Sequence, residues 1–155
     1  MLKKILIIIV IIGAAAGAYV AYLYFQPHRD VQASKVDVVI TVKGLVAEYK
    51  ASADSANAKY LAANGESKIF AVSGKIAEIT ENSNKEKVVT LREEGKEIGV
   101  ACTFTAEASK DPATQKLKVG DMVTVKGAIA SGPDFDPDLP TDATMRDCAL
   151  KPAKK

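Results

Sequence analysis

The densest set of ligand-type side chains in the sequence is GPDFDPDLPTD, residues 132–142, with four aspartates and three prolines. Asp134, Asp136 and Asp138 have the D-x-D-x-D spacing that opens an EF-hand-like calcium loop, where alternate carboxylates converge on one cation. The rest of such a loop is missing. Leu139 stands where the turn glycine belongs, and Met145 where the bidentate glutamate belongs. Pro137 and Pro140 also stiffen the backbone that would have to wrap. Weak divalent binding stays open, but the simpler reading is a solvated acidic loop with no bound metal. Phe135, flanked by Asp134 and Asp136, adds an apolar group to a stretch that is otherwise turn chemistry. Asp134, Phe135, Asp136, Asp138 and Asp142 are therefore the candidate ligand-contacting set.

Other catalytic groups are sparse. His28 is the single histidine, and it has no neighbours of the kind a triad or a zinc site needs. No glycine-rich phosphate loop precedes a Lys-Ser or Lys-Thr pair. Cys102 and Cys148 are the only cysteines and do not form a CxxC. Nothing cationic is placed to lower a thiol pKa, which argues against redox catalysis. The chain reads as non-enzymatic, with no cofactor.

The elements that would position these residues begin with an apolar run. Residues 5–25, ILIIIVIIGAAAGAYVAYLYF, contain no charge, and that length of helix spans a hydrocarbon core of about 30 Å. Lys3, Lys4 and the amino terminus outweigh Arg29 on the far side, so the charge bias keeps the N-terminus in the cytoplasm and the remainder outside. This predicts a single-pass signal anchor in the lipid bilayer, with a periplasmic or cell-surface domain. The alternative is a cleaved signal peptide, with Ala16, Gly17 and Ala18 as its small-residue cleavage site and a secreted product. Gly13, Gly17 and Ala21 lie along one face of the apolar helix, a small-xxx-small pattern through which two copies could pair as a homodimer.

Residues 26–34 read as a membrane-proximal linker, 35–150 as the folded domain, and 151–155 as a basic tail after the cytoplasmic stub and anchor of 1–25. From 31 to 150 there are 15 Lys and Arg against 18 Asp and Glu. The folded part is thus mildly acidic although the whole chain is +2.

Leu45, Tyr49, Ala53, Ala56 and Tyr60 recur at helical spacing after the capping residue Thr41, predicting one helix or two short ones. Beyond Asn64-Gly65 the period changes to two. Strands are predicted at 69–79 (with a bulge or sharp bend at Gly74), 87–92, 98–104 and 143–150, and within 118–130 after a turn at Gly120-Asp121. A short helical or irregular connection is predicted over 107–115, and a short extended piece at 37–41. Ile98, Val100, Cys102 and Phe104 share one face. Three strands, a short helix and two more strands is the order of a five-stranded OB barrel. The predicted fold is therefore mostly β, an OB barrel preceded by one or two short helices and a transmembrane helix. In that barrel the strands carrying Cys102 and Cys148 are neighbours, so the two could form a disulfide in an exported domain or remain buried thiols.

The chain also resembles the tRNA_anti-like family of OB-fold proteins, small exported or membrane-anchored bacterial proteins. The resemblance is carried by QPHRDV, ANAKYL, AVSGKIAEI, VACTF, KVGDMVTVKG and RDCAL, in that order. The sequence departs from the family after Gly127, where residues 132–142 replace a short turn between the last two strands. Single-strand binding by OB folds uses aromatic and basic groups on the outer surface of the second and third strands. The residues predicted there are Val88, Thr90, Arg92, Gly99, Ala101 and Thr103, with one cation and no aromatic. This argues against nucleic acid and for a binding or assembly module taking a protein, peptide or glycan. An oligonucleotide-binding OB fold is the alternative.

Overall fold

The computed structural model describes residues 13, 17–19, 30–62 and 67–151. Among these, strands β1 (Val38–Thr41), β2 (Ile69–Glu81), β3 (Lys87–Arg92), β4 (Val100–Phe104), β5 (Met122–Ser131) and β6 (Ala143–Leu150) form one sheet. Its order is β1-β2-β3-β4-β6-β5, and β2 pairs with β5 to close the last five strands into a barrel. The β4–β6 pairing is parallel and the other pairings around the barrel are antiparallel. This is OB-fold topology, as the strand order predicts.

Closure depends on β2, whose 13 residues are long enough to pair with different neighbours along their length. Its first half pairs with β1 and β5, and its second half continues along β3. The predicted bend at Gly74 falls elsewhere, since the register slips between Ile76 and Glu78. Gly74 answers a different need: a Cβ there would lie 2.6 Å from the Val42 side chain. The glycine admits a helix against the sheet.

That helix is α1 (Val42–Ala51), followed by α2 (Ala53–Tyr60). Thr41 caps α1 by accepting the Gly44 N–H, and Ser52 caps α2 by accepting the Ser55 N–H. Ser52 is extended (φ −164°, ψ 104°), which resets the helical phase. Leu45, Tyr49, Ala56 and Tyr60 are buried accordingly, whereas Ala53, the first residue after the break, is exposed. The Tyr60 ring meets Phe70 of β2 edge-on at 4.9 Å between centroids.

Helices α3 (Ala106–Lys110) and α4 (Pro112–Gln115) occupy the β4–β5 connection. They lie at the Lys87 end of β3, where Lys87 donates its N–H to Ser109 Oγ and its ammonium to the Thr114 carbonyl. At the other end of β3, Lys43 of α1 reaches Glu93 at 3.4 Å. The two helical pairs therefore cap opposite mouths of the barrel. Tyr49, Tyr60, Phe70, Phe104 and Leu91 fill one continuous core between them.

The five barrel strands are those of the OB order, and residues 38–41, whose composition reads as a short extended piece, add β1 outside the barrel by pairing in parallel with residues 70–73. Part of the predicted linker, residues 26–34, packs on the fold. From Asp30 onward it is a turn docked on the barrel, with Val31 buried against Ile69 and Ala128. Lys126 donates its ammonium to the Gln32 and Ser34 carbonyls, and Gln32 donates to the Asp147 carbonyl. Its length and polarity resemble a linker, but one buried valine and these bonds make it part of the fold.

Among the described residues no helix is long and apolar enough to cross a membrane. Most of the predicted span 5–25 lies outside them. Gly13 and Gly17 are helical and exposed, and Ala21, the third member of the predicted pairing face, lies outside the described residues.

Candidate ligand groove

A groove of about 520 Å³ lies at the α1 mouth of the barrel. Val42, Val46 and Ala47 of α1, Ile98 and Phe135 make its floor, and Lys43, Lys50, Glu93, Lys96 and Glu97 make its rim. Three elements meet there: the outer face of α1, the β3–β4 loop and the β5–β6 insert. Lys43, Val46, Ala47 and Lys50 recur at i, i+3, i+4 and i+7, a second helical face beside the core face of Leu45 and Tyr49. That spacing was the signal in the sequence, and the stronger core stripe obscured it.

Ile98 is not on a strand as predicted. The chain is pinned at Gly99, where a Cβ would lie 2.1 Å from the Leu91 carbonyl oxygen, and β4 starts one residue later. Ile98 is left in the loop, half-buried on the groove floor.

Phe135 lines the groove and is also half-buried against the main core. Its apolar ring is thus partly a packing group. The insert is seated by Gly132, where a Cβ would lie 2.1 Å from the Tyr49 ring. Glycine alone lets the strand leave β5 across that tyrosine.

The aspartates divide into two kinds. Asp134, Asp136 and Asp138 are exposed. Asp134 accepts the Asp136 N–H at 3.1 Å and Asp136 accepts the Asp138 N–H at 2.8 Å, two successive Asx turns. Their D-x-D-x-D spacing is explained by local backbone capping. Among the described residues no group of three His, Cys, Asp or Glu side chains is arranged to hold a metal ion.

Asp142 belongs to the framework and not to a free ligand loop. Its carboxylate accepts the Arg92 guanidinium at 2.7 Å and 3.4 Å and the Gly99 N–H at 2.7 Å. This knot ties the β3–β4 loop to the start of β6. The Asp142 carboxylate holds the Arg92 pKa above its usual value.

The same knot engages the one cation predicted on the outer surface of β3 and β4. Thr90, opposite Glu78 and Ala101, is buried, and so is Gly99. Val88, Ala101 and Thr103 are half-buried. No aromatic platform is present among these residues.

The topology brings the cysteines together. Cys102 pairs with Met145 and Phe104 with Cys148 across the parallel β4–β6 ladder, and both sulfurs are fully buried. They are free thiols in this structure. Cys102 Sγ faces the Val100 carbonyl and Cys148 Sγ the Arg146 carbonyl. Burial, then the adjacent Cys102 thiol, pushes the Cys148 pKa well up.

The tRNA_anti-like family profile matches residues 1–134. A search of curated proteins returned no match. Among solved structures, a Klebsiella pneumoniae protein named "putative nucleic acid-binding lipoprotein" superposes with TM-score 0.53 at 20% identity, covering 81% of this chain and 99% of that one. Asparaginyl-tRNA synthetase of Entamoeba histolytica aligns at TM-score 0.38 and 13% identity, over 57% of this chain and 21% of that one.

Proposed function

The chain belongs to the tRNA_anti-like family, and on that premise we propose a membrane-anchored, non-enzymatic OB-fold binding module that works outside the cytoplasm. Its ligand is an extended peptide segment of a protein partner, held in the groove between α1, the β3–β4 loop and Phe135. The observation that carries this reading is the groove's composition. An aliphatic and aromatic floor with a rim of both charge signs suits side chains that alternate between apolar and charged. A phosphate backbone would instead meet Glu93 and Glu97 on the rim and the exposed Asp134 and Asp136 beside Phe135. An envelope glycan would find one half-buried aromatic ring to stack on. The uncharged run of residues 5–25 supports the anchor, and the lipoprotein name of the Klebsiella relative is consistent with an address outside the cytoplasm.

A second reading, a single-stranded oligonucleotide in the same groove, draws on Lys43, Lys50 and Lys96 and on the nucleic-acid-binding name of that relative. One experiment separates the two. A photo-crosslinking residue replaces Ala47 in the full-length membrane-embedded chain, with Glu107 at the opposite mouth as control. The peptide reading expects protease-sensitive adducts from position 47 that are lost in F135A and absent from position 107. Nuclease-sensitive adducts, weakening steeply with salt, would establish the second reading. Glycosidase-sensitive adducts, or none at position 47, would remove the peptide reading.

A further inference from the structure

We propose that Cys102 and Cys148 are a cross-linking pair, joined by a disulfide-bearing oxidant into one intrachain disulfide that ties β4 to β6. The inference is independent of what the groove binds. Its basis is placement. These are the only cysteines of the chain, and parallel pairing of β4 and β6 sets them on adjacent strands with both side chains pointing into the core. The register slips between Cys102 and Phe104, so three residues of β6 pass against two of β4 and Cys148 lies opposite Phe104. The space beside Cys148 is kept open by Gly127, where a Cβ would lie 2.4 Å from the sulfur. A side chain there would press on the atom that must move to form the bond.

The chemistry is two exchanges. A thiolate of the pair attacks one sulfur of the oxidant's disulfide, forming a mixed disulfide and expelling one oxidant thiolate, which takes up a proton. The second cysteine, deprotonated, attacks the cysteine sulfur of that mixed disulfide and expels the other oxidant thiolate, which is also protonated. Two cysteine thiols are oxidised and one oxidant disulfide is reduced to two thiols. Both sulfurs are inaccessible once the barrel is closed, so the exchange belongs to folding, before β6 is seated.

The test refolds the full chain from reduced, urea-unfolded protein into detergent, with either oxidised glutathione or a reductant. Samples are quenched with acid and alkylated in SDS with a polymer-tagged maleimide. Oxidative refolding should leave no labelled cysteine per chain, against two in the reduced sample, with restoration by dithiothreitol. Mass spectrometry should find the peptides of Cys102 and Cys148 joined, and the oxidised chain should unfold at a higher urea concentration than the reduced one. C102A and C148A should each keep one thiol that is labelled or carries a single glutathione. Two labelled thiols after oxidative refolding, two bound glutathiones, an intermolecular bond, or a midpoint that does not rise would each overturn the proposal. The wild-type comparison alone is decisive, so it stands even if the alanine variants fail to fold.

Discussion

Replacing Asp142 should show that the insert's last aspartate supports the barrel frame. The carboxylate accepts three hydrogen bonds, and its side chain is 16% exposed beside an Arg92 side chain that is 32% exposed. D142A leaves the Gly99 N–H, which is buried, without its acceptor, a cost of about 1–3 kcal/mol. It also removes the ion pair, worth about 1 kcal/mol at this exposure because the guanidinium can turn to water. The expected total is about 3 kcal/mol. D142N keeps an oxygen for Gly99 and loses the charge, and R92M keeps the Gly99 bond and loses the ion pair, so each should cost about 1 kcal/mol. Urea unfolding followed by circular dichroism reads the difference. With a slope of about 2 kcal/mol per M, D142A should lower the midpoint by about 1.5 M and the other two by about 0.5 M. If R92M cost as much as D142A, the backbone cap would not be the dominant part. If D142A shifted the midpoint by under about 0.25 M, the knot would have no structural role.

Gly132→Ala forces a methyl group into the Tyr49 ring and should cost about 2–3 kcal/mol in the same assay. Gly120→Ala, which meets no atom within 4 Å but sits at φ +98°, should cost only about 1 kcal/mol. Phe135→Ala should remove groove-dependent adducts while costing about 1–2 kcal/mol of stability, because its ring is half-buried. The Glu48 carboxyl is held below its ordinary value of 4.5, first by the Tyr60 hydroxyl and then by Lys59. Its folded pKa is depressed, so its contribution is complete above about pH 4.5 and is lost as the pH falls through the lower folded value. Tyr60→Phe should flatten that part of the stability curve, measured as urea midpoints between pH 3 and pH 6, roughly the window set by the carboxylate pKa. An unchanged acid limb would show that the Tyr60–Glu48 bond contributes nothing to the linkage.

The barrel was legible because period-two stretches of Val, Ile and Phe flank turn residues in the order an OB fold requires, and Val100, Cys102 and Phe104 do face inward together. The N-terminal helices were legible through Thr41 and the apolar stripe, but the break at Ser52 depends on one residue adopting an extended conformation inside a helix-compatible sequence. β1 was half-legible: Val38–Thr41 has strand composition, yet nothing local states that it pairs in parallel with Phe70 and its neighbours. The site was read less well. Spacing alone equates Asp142 with Asp134, Asp136 and Asp138, while tertiary placement gives the first a guanidinium and a buried N–H and gives the others their own backbone. The groove needed α1, Ile98 and Phe135 to be brought together from segments about 40 to 90 residues apart, which no window along the chain can display.

The position of β6 has a consequence for the order in which the protein takes shape. The last strand lies between β4 and β5, and until it is present those two are bare edges of an open sheet. The barrel therefore cannot seal until residue 150 is free to join it. Until then the facing edges of β4 and β5 present unpaired backbone N–H and C=O groups, so a chain shortened before residue 143 would carry an open, association-prone sheet in place of a barrel.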